Sequence, residues 1–398
     1  MVKFAIKNLL RHKRRTFLTF SILSVAILYY IVISGLLDGF EIESTKNFIE
    51  LETAHIKIKD KNFNEETFEG RIKNPNLIIE KIKNFMFIKS FTKRLKIYGF
   101  LDNGIDNYPV VIIGVKWSED TIVYKINKYL KLNFQNGILL GEVIAEKFGV
   151  KEGDYVFLNF RTKEGTFVSK EVEIKGILST PSYFLNNLYV IMDIDSLNIL
   201  GEFEGEITEI SIIVDDYEKT FEYKNIISEY LKDLRITTWQ EEGKDYLEIS
   251  NTKKLFQAIF ILFIILLGII GTTNTLNISI FERIKEIGTL KSLGMKDSEI
   301  RKLLVIEGVM IGLLGTLLGV IFGVLINFYF VKYGIDWTPL LPKDINLAYR
   351  VSGVVKSAWN TSSIMISFII GPFSTFIASY IPAQRASKLT PAECLRWI

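Results

Sequence analysis

The sequence predicts an α-helical polytopic membrane protein with four transmembrane helices and a large α+β extracytoplasmic domain. The first observation is the distribution of charge: the 48 basic and 45 acidic residues all lie outside four stretches, residues 17–37, 255–281, 308–331 and 357–384. Each stretch has at least 21 residues, and a transmembrane helix needs about 20 mostly apolar residues. The second observation is the charged segment 38–254, which is long enough to bury a core of its own.

The predicted topology begins with a basic, acid-free segment, residues 1–16. The first span, 17–37, is longer than the apolar region of a signal peptide, about 7–15 residues, and no A-x-A cleavage pattern follows it, so an uncleaved anchor is expected. By the positive-inside rule, segment 1–16 is cytoplasmic. The following segments then alternate across the cell membrane: 38–254 outside, 282–307 inside, 332–356 outside and 385–398 inside.

The charge balance agrees with this topology. Segment 38–254 has a net charge of −8, whereas the three cytoplasmic segments together carry +9. Trp337 and Trp359 fall at the outer ends of the third and fourth spans, where amphipathic rings anchor at the interface.

The outer segment shows the patterns of a mixed α+β domain. Alternation or β-branched runs predict strands at residues 56–59, 110–115, 172–175, 188–192 and 210–214. Helical spacing predicts a helix over Glu218–Leu234, and a turn is predicted at residues 150–154. The flanks 38–44 and 244–254 are expected to continue the neighbouring membrane helices outward. Four acids, Glu202, Glu204, Glu206 and Glu209, fit a solvated charged face better than a cation site.

Several enzyme classes are excluded by composition. Cys394 is the only cysteine, so no intrachain disulfide forms, and His12 and His55 are the only histidines, too few for a clustered zinc site. The chain has no G-x-x-x-x-G-K-[ST] phosphate loop. We therefore expect no enzyme activity, no catalytic residue, no bound metal or cofactor and no nucleic-acid partner. The four spans also lack Asp, Glu, Lys, Arg and His, which disfavours intramembrane chemistry and proton-coupled transport.

The third span carries glycines at spacings of four that create small helix faces: Gly308, Gly312, Gly315, Gly319 and Gly323. Such faces fit packing within the chain and packing between subunits equally well.

A short amphipathic helix is predicted between the second and third spans. Ile284, Ile287 and Leu290 recur every three residues, followed by Leu293, and Gly294 suits a left-handed C-terminal cap. Asp297 or Ser298 is expected to cap the next helix. The apolar stripe suits either lipid headgroups or a docking partner. In the tail, residues 390–393 (Thr-Pro-Ala-Glu) combine a capping box with proline at the first helical position, which predicts a short final helix.

Four segments together resemble the FtsX/MacB-type permeases of ABC transporters, and within them the lipoprotein-releasing (LolC/LolE-like) branch. The segments are Asn8–Thr16, Leu140–Asp154, Glu282–Gly294 and Ile381–Glu393. The resemblance implies a MacB-like periplasmic core domain with porter and sabre parts, the inserted part covering about Leu95–Leu200. It also implies a second permease subunit, identical or homologous, and a separate ATPase dimer that binds the ATP and Mg. The residues implied to couple to that ATPase are Glu282, Arg283, Glu286, Ile287, Gly288, Leu290, Leu293 and Gly294.

The expected function is therefore that of a permease subunit in contact with membrane lipids. It relays the motion of a separate ATPase to the outer domain, for release of lipoprotein cargo or export of a lipophilic substrate. The alternative is a mechanotransmitting scaffold or sensor that controls an extracytoplasmic partner without moving cargo.

Overall fold

The computed structural model describes residues 13–130, 137–337, 351 and 353–396. The chain divides into two compact units. A helical unit comprises Met1–Phe40, Ser250–Ile335 and Val354–Ile398, and an α+β unit comprises Glu41–Ile249 and Asp336–Gly353. Within these described residues, four helices are long and apolar enough to cross a membrane, and the second unit combines helices with a nine-stranded sheet. The predicted fold class is confirmed.

The α-helices are, in chain order, α1 (Lys13–Phe48), α2 (Pro75–Ile82), α3 (Trp117–Val123), α4 (Glu142–Phe148), α5 (Tyr183–Asn187), α6 (Ile194–Gly201), α7 (Thr220–Tyr230), α8 (Trp239–Glu242), α9 (Lys244–Glu282), α10 (Ile284–Ser292), α11 (Asp297–Tyr333), α12 (Thr361–Lys388) and α13 (Pro391–Arg396). A π-helical turn, Ile49–Thr53, follows α1, and 3₁₀ turns occur at Lys125–Tyr129 and Tyr217–Lys219. The four long apolar helices are α1, α9, α11 and α12. As predicted for the flanks of the outer segment, α1 runs beyond the charge-free stretch to Phe48 and α9 begins at Lys244.

The strands are β1 (Ile56–Asp60), β2 (Ile88–Asp102), β3 (Asn107–Val115), β4 (Ile138–Gly141), β5 (Tyr155–Arg161), β6 (Phe167–Leu178), β7 (Tyr189–Asp193), β8 (Glu209–Val214), β9 (Leu234–Thr238), β10 (Ile335–Asp336) and β11 (Val354–Val355). All five predicted strands are confirmed, because short apolar or alternating runs bounded by turn residues are a strong local signal.

In the helical unit, α11 lies between α1 and α12 of the same chain. A Cβ atom added at Gly312 would lie 2.1 Å from the Thr375 hydroxyl of α12, and one at Gly319 would lie 2.8 Å from the Ile27 Cβ of α1. The other three glycines at this spacing also lie against a neighbouring helix: Gly308 against α12, and Gly315 and Gly323 against α1. The small face of α11 is therefore filled by packing within the chain, since side chains on either neighbour approach its backbone closely.

The α+β unit has a nine-stranded sheet with the order β3-β7-β4-β6-β5-β2-β8-β1-β9. Because β2 also pairs with β3, the six strands β2, β5, β6, β4, β7 and β3 close into a ring. The remaining part, β2-β8-β1-β9, is antiparallel throughout. The main apolar core fills the ring and continues beneath α2 and α7, which contribute Ile79, Ile82 and Ile227.

Two predictions for this unit are wrong. The helix predicted over Glu218–Leu234 ends at Tyr230, because a turn intervenes and Leu234 begins β9; its apolar residues Phe221 and Tyr230 are exposed. The four acids predicted to form a solvated face do not share one environment. Glu209 is only 1% exposed and Glu206 is buried as well, because neighbouring lysines neutralise them. His55 is structural, as expected: its Nδ1 accepts a hydrogen bond from the Val214 N–H.

Candidate functional site

The candidate site is built from α10 and α13, which we call the two-helix platform. α9 ends at Glu282 and α10 begins at Ile284, so the single residue Arg283 separates the two helices. α10 ends at Ser292, and Gly294, two residues later, has a φ of +97°, in the left-handed region that favours glycine. The predicted glycine cap is confirmed. The N-cap of α11 is Lys296, whose N–H donates to the Glu299 carboxylate (2.9 Å), so the N-cap predicted at Asp297 or Ser298 is wrong.

The buried side of α10 packs against α11, α12 and α13. Ile284 and Ile287 join a cluster with Ile300 of α11, Ala383 of α12 and Cys394 of α13. Gly288 lies against α13 so closely that an added Cβ would be 2.7 Å from the Cβ of Cys394.

The predicted apolar stripe is therefore divided. Ile284 and Ile287 are buried, whereas Leu293, one residue beyond α10, is 79% exposed. Leu290 is intermediate in exposure. A substitution at Ile287 thus tests the folding of the platform, whereas one at Leu293 tests its surface.

The capping box predicted for the final helix is confirmed. The Thr390 N–H and hydroxyl donate to the Glu393 carboxylate at 2.7 and 2.8 Å, and the Glu393 N–H donates to the Thr390 hydroxyl at 3.3 Å. These two donors hold the pKa of Glu393 below its usual value. The box fixes the direction in which α13 leaves α12 and so places Cys394 against α10.

Lys291 attaches α10 to the end of α12. Its ammonium donates to the backbone carbonyls of Ser387 (2.8 Å) and Leu389 (2.6 Å) and pairs with Asp297 (2.8 Å). A cation at a helix C-terminus satisfies carbonyls that have no partner within the helix and complements the helix dipole.

Arg283 attaches the start of α10 to α11. Its guanidinium pairs with Glu286 (2.9 Å) and with the buried Glu307 of α11 (3.2 Å). Burial by itself disfavours the charged guanidinium. The two carboxylates outweigh this effect, so the pKa of Arg283 is raised. Of the residues implied to couple to the ATPase, Arg283, Ile287 and Gly288 thus face inward and hold the platform together.

The outward side of the platform combines apolar and charged side chains. Its exposed members are Glu282, Lys285, Glu286, Thr289, Ser292, Leu293 and Gly294 from the α10 region and Ala392, Glu393, Leu395 and Arg396 from α13. Leu293 and Leu395 are the exposed large apolar residues of this set. Apolar anchors within a polar rim are the usual composition of a protein–protein interface. Sequence reasoning missed the share of α13 in this surface, although its capping box predicted the helix.

Among the residues that the structure describes, no group of three or more His, Cys, Asp or Glu side chains is arranged to hold a metal ion.

Comparison with known proteins gives a consistent result. Residues 258–391 match the family described as FtsX-like permease C-terminal. Over 235 residues the chain is 27% identical to an uncharacterized ABC transporter permease of Methanocaldococcus jannaschii, covering 57% of this chain and 55% of that protein. It is 21% identical to the lipoprotein-releasing system transmembrane protein LolE of Haemophilus influenzae, covering 94% and 93% of the two chains. The match thus spans just over half the length of the archaeal relative.

Among solved structures, the chain is similar to the periplasmic region of MacB from Actinobacillus actinomycetemcomitans, at 15% identity and a TM-score of 0.36, covering 52% of this chain and 98% of that one.

The four apolar helices are those expected of a multi-pass membrane protein, and the relatives that the chain resembles include permeases of ABC transporters. Among such permeases, the matching family model is the FtsX-like one, and the similarity to LolE extends over 94% of this chain. The roles of the individual platform residues remain predictions.

Proposed function

We propose that this chain relays the ATP-driven motion of a separate ATPase dimer to its α+β domain, for release of lipoproteins or export of a lipophilic substrate. The observation that carries the proposal is the two-helix platform. It offers exposed Leu293 and Leu395 to a partner while its other side is fixed to the membrane helices. On this proposal ATP and Mg are bound by the partner, and this chain supplies only the docking surface and the relay.

The proposed orientation puts the platform and both termini in the cytoplasm and the α+β domain outside the cell membrane. Its support is the charge asymmetry of the sequence, with +9 on the segments placed inside and −8 on the segment 38–254 placed outside.

The attachments of α10 suit a relay because a push on it reaches three membrane helices. Arg283 links α10 to α11 through Glu307 and follows α9 by one residue. Lys291 links α10 to the end of α12. A partner can shift the equilibrium between two states of the permease only by binding one of them more tightly. The ATPase is therefore proposed to hold the platform differently with and without ATP.

The proposed cargo and second subunit are supported by the apolar surface of the helical unit. α1 and α9 enclose an open groove of about 530 Å³, lined by Leu18, Ser21, Ile22, Val25, Ala26, Tyr29, Phe260, Phe263, Ile264 and Leu267. Its lining is almost entirely apolar, which suits lipid chains or the matching helices of a second permease. The similarity to lipoprotein-releasing proteins such as LolE supports lipoprotein as the cargo.

An affinity pull-down tests the proposal. The tagged chain is purified from its native membranes in mild detergent, and bound proteins are identified by mass spectrometry. We expect a soluble ABC ATPase with the parent chain and its loss with Leu293→Asp, since a charge at a 79% exposed apolar anchor disrupts docking without disturbing the core. The matched control is Ile199→Asp, which alters an equally exposed residue (77%) of the α+β unit and should retain the ATPase.

Two results contradict the proposal. Retention of the ATPase by Leu293→Asp shows that the exposed end of α10 is not the docking surface. Absence of an ATPase from the parent, even after mild cross-linking, removes the relay and leaves the chain as a membrane-anchored scaffold.

A further inference from the structure

Strand β1 carries two lysines that are almost completely buried. Its sequence alternates Ile56, Lys57, Ile58 and Lys59, a pattern that predicts isoleucines inward and lysines in water. The isoleucines do lie in the main core. The lysines lie on the other face of the sheet, yet Lys57 is only 4% exposed and Lys59 only 1%, so this prediction of a half-solvated strand is wrong.

The lysines meet two carboxylates that arrive from distant parts of the chain. The Lys59 ammonium lies 3.0 Å from both carboxylate oxygens of Glu242. The Lys57 ammonium lies 3.5 Å from Glu242 and 3.8 Å from Glu209 of β8. The hydroxyl of Thr237 donates a further hydrogen bond of 2.7 Å to Glu242. Burial disfavours the charged form of Glu242, but the two lysines outweigh it and lower its pKa to about 2.

The positions of these partners along the chain are informative. Glu242 is the last residue of α8, and α9 begins at Lys244. On the other side, the Lys57 ammonium also donates to the backbone carbonyl of Glu52 (3.1 Å), within the π-helical turn that directly follows α1. Lys57 therefore contacts the segment that leaves α1 and the segment that enters α9.

Apolar packing brings the same two segments together. Phe48 and Ile49, at the end of α1, form a cluster with Trp239 of α8. A Cβ atom added at Gly243 would lie 2.6 Å from the Phe48 ring. The two segments are thus joined by an apolar contact and by the Lys57 ammonium, which donates to the Glu52 carbonyl and pairs with Glu242.

Stability alone does not explain why the buried Lys57 and Lys59 are paired with Glu242. Removing charges from water is costly, and apolar residues of similar size are often at least as stabilising as a buried ion pair. A buried pair nevertheless fixes geometry, because its partners cannot separate without leaving charges unpaired in a dry environment.

We propose that Lys57, Lys59 and Glu242 form a clamp that joins the end of α1 and the start of α9 to strand β1, so that displacement of these helices moves the sheet. The clamp rests on the proposed function, because it needs an ATPase-driven displacement to transmit. On this proposal, the displacement reaches the α+β domain through Lys57, Lys59 and Glu242.

The test uses the full chain in complex with its ATPase in lipid nanodiscs. Spin labels are attached to Ile105→Cys, in the β2–β3 hairpin, and Tyr333→Cys, at the end of α11, both of which replace exposed side chains. The native Cys394 is fully buried, and the parent without introduced cysteines checks that it does not react. The distance between the labels is measured by double electron–electron resonance without nucleotide and after trapping with ATP and vanadate.

In the parent we expect the distance distribution to shift on trapping. In Glu242→Gln the shift is lost while the ATPase rate stays within about twofold of the parent, because the docking surface is untouched. The matched control is Lys128→Met, which removes a surface ion pair from Lys128 to Glu50 of the same π-helical turn and should keep the shift.

A second variant covers a failure of Glu242→Gln to fold. Lys57→Met combined with Glu242→Met removes both charges together and leaves Lys59 with Glu65 and Glu209 with Lys96. If either folded variant keeps the full shift, the clamp is overturned while the relay stands. If the parent itself shows no shift, the relay fails and the clamp fails with it.

Discussion

Lys96 of β2 is predicted to make the stability of the α+β unit depend on pH. Its ammonium lies 2.9 Å from Glu209, the anion that faces it, and the cations Lys57, Lys59 and Arg94 share the same buried layer. Burial, together with these like charges, lowers the pKa of Lys96 to about 8, since one carboxylate offsets only part of the cost.

The sign follows from proton binding in the two states. An unfolded lysine titrates near 10.4, so between about pH 8 and 10 the unfolded chain holds a proton that the folded chain has released. Stability therefore rises with pH across this window and is lowest below it. Integrating the difference for one site gives a gain of about 2 kcal/mol between pH 7 and pH 9.5.

Urea unfolding of the full chain in detergent micelles, followed by tryptophan fluorescence, measures this gain. We expect the rise in the parent and its loss in Lys96→Met. The matched control is Lys93→Met, which removes a lysine from the opposite face of the same strand and should keep the rise. A flat profile in the parent, or a rise that survives in Lys96→Met, would refute the assignment of the low pKa to Lys96.

Two further predictions concern the helical unit. Gly312→Leu forces a side chain against Thr375 and should cost about 1–3 kcal/mol; thermal unfolding in micelles measures the loss, and Gly271→Ala, whose Cβ meets only an atom 3.6 Å away, should be tolerated. Arg283→Met takes the guanidinium from the buried Glu307 and should cost about 3–5 kcal/mol. Limited proteolysis of the platform then accelerates at neutral pH, and an unchanged rate would contradict a structural role for this pair.

The membrane helices and most strands were predictable because their signals are local. Lipid excludes charge, so a charge-free stretch longer than about 20 residues is a strong indication of a membrane helix. The strands were found from runs of four to six residues bounded by turns. Strand β1 was found as well, but the environment of Lys57 and Lys59 was not, because alternation reports only that two faces differ. What covers the second face depends on Glu242, more than 180 positions away in the sequence.

The candidate site was predictable in outline and wrong in detail for a related reason. Spacing of three predicts which side chains share one face of a helix, and Ile284 and Ile287 do share one. It does not predict where the helix ends, so Leu293 was assigned to the same stripe although it lies beyond α10. Nor does it reveal that Gly288 is small because α13 passes over it, a contact with residues about a hundred positions later.

The uneven packing of α9 bears on how a relay of this kind works. Its second half is held by α1 and α12: Thr272, Thr275, Leu276 and Ile280 are buried, and the Thr273 hydroxyl donates to the Ala378 carbonyl (3.1 Å). The stretch 255–263 has no buried side chain. A helix fixed near the platform and uncovered farther along transmits a small tilt as a larger displacement of its other end. On the proposed function that end leads into the clamp at Glu242, so α9 acts as the lever that carries the displacement to strand β1.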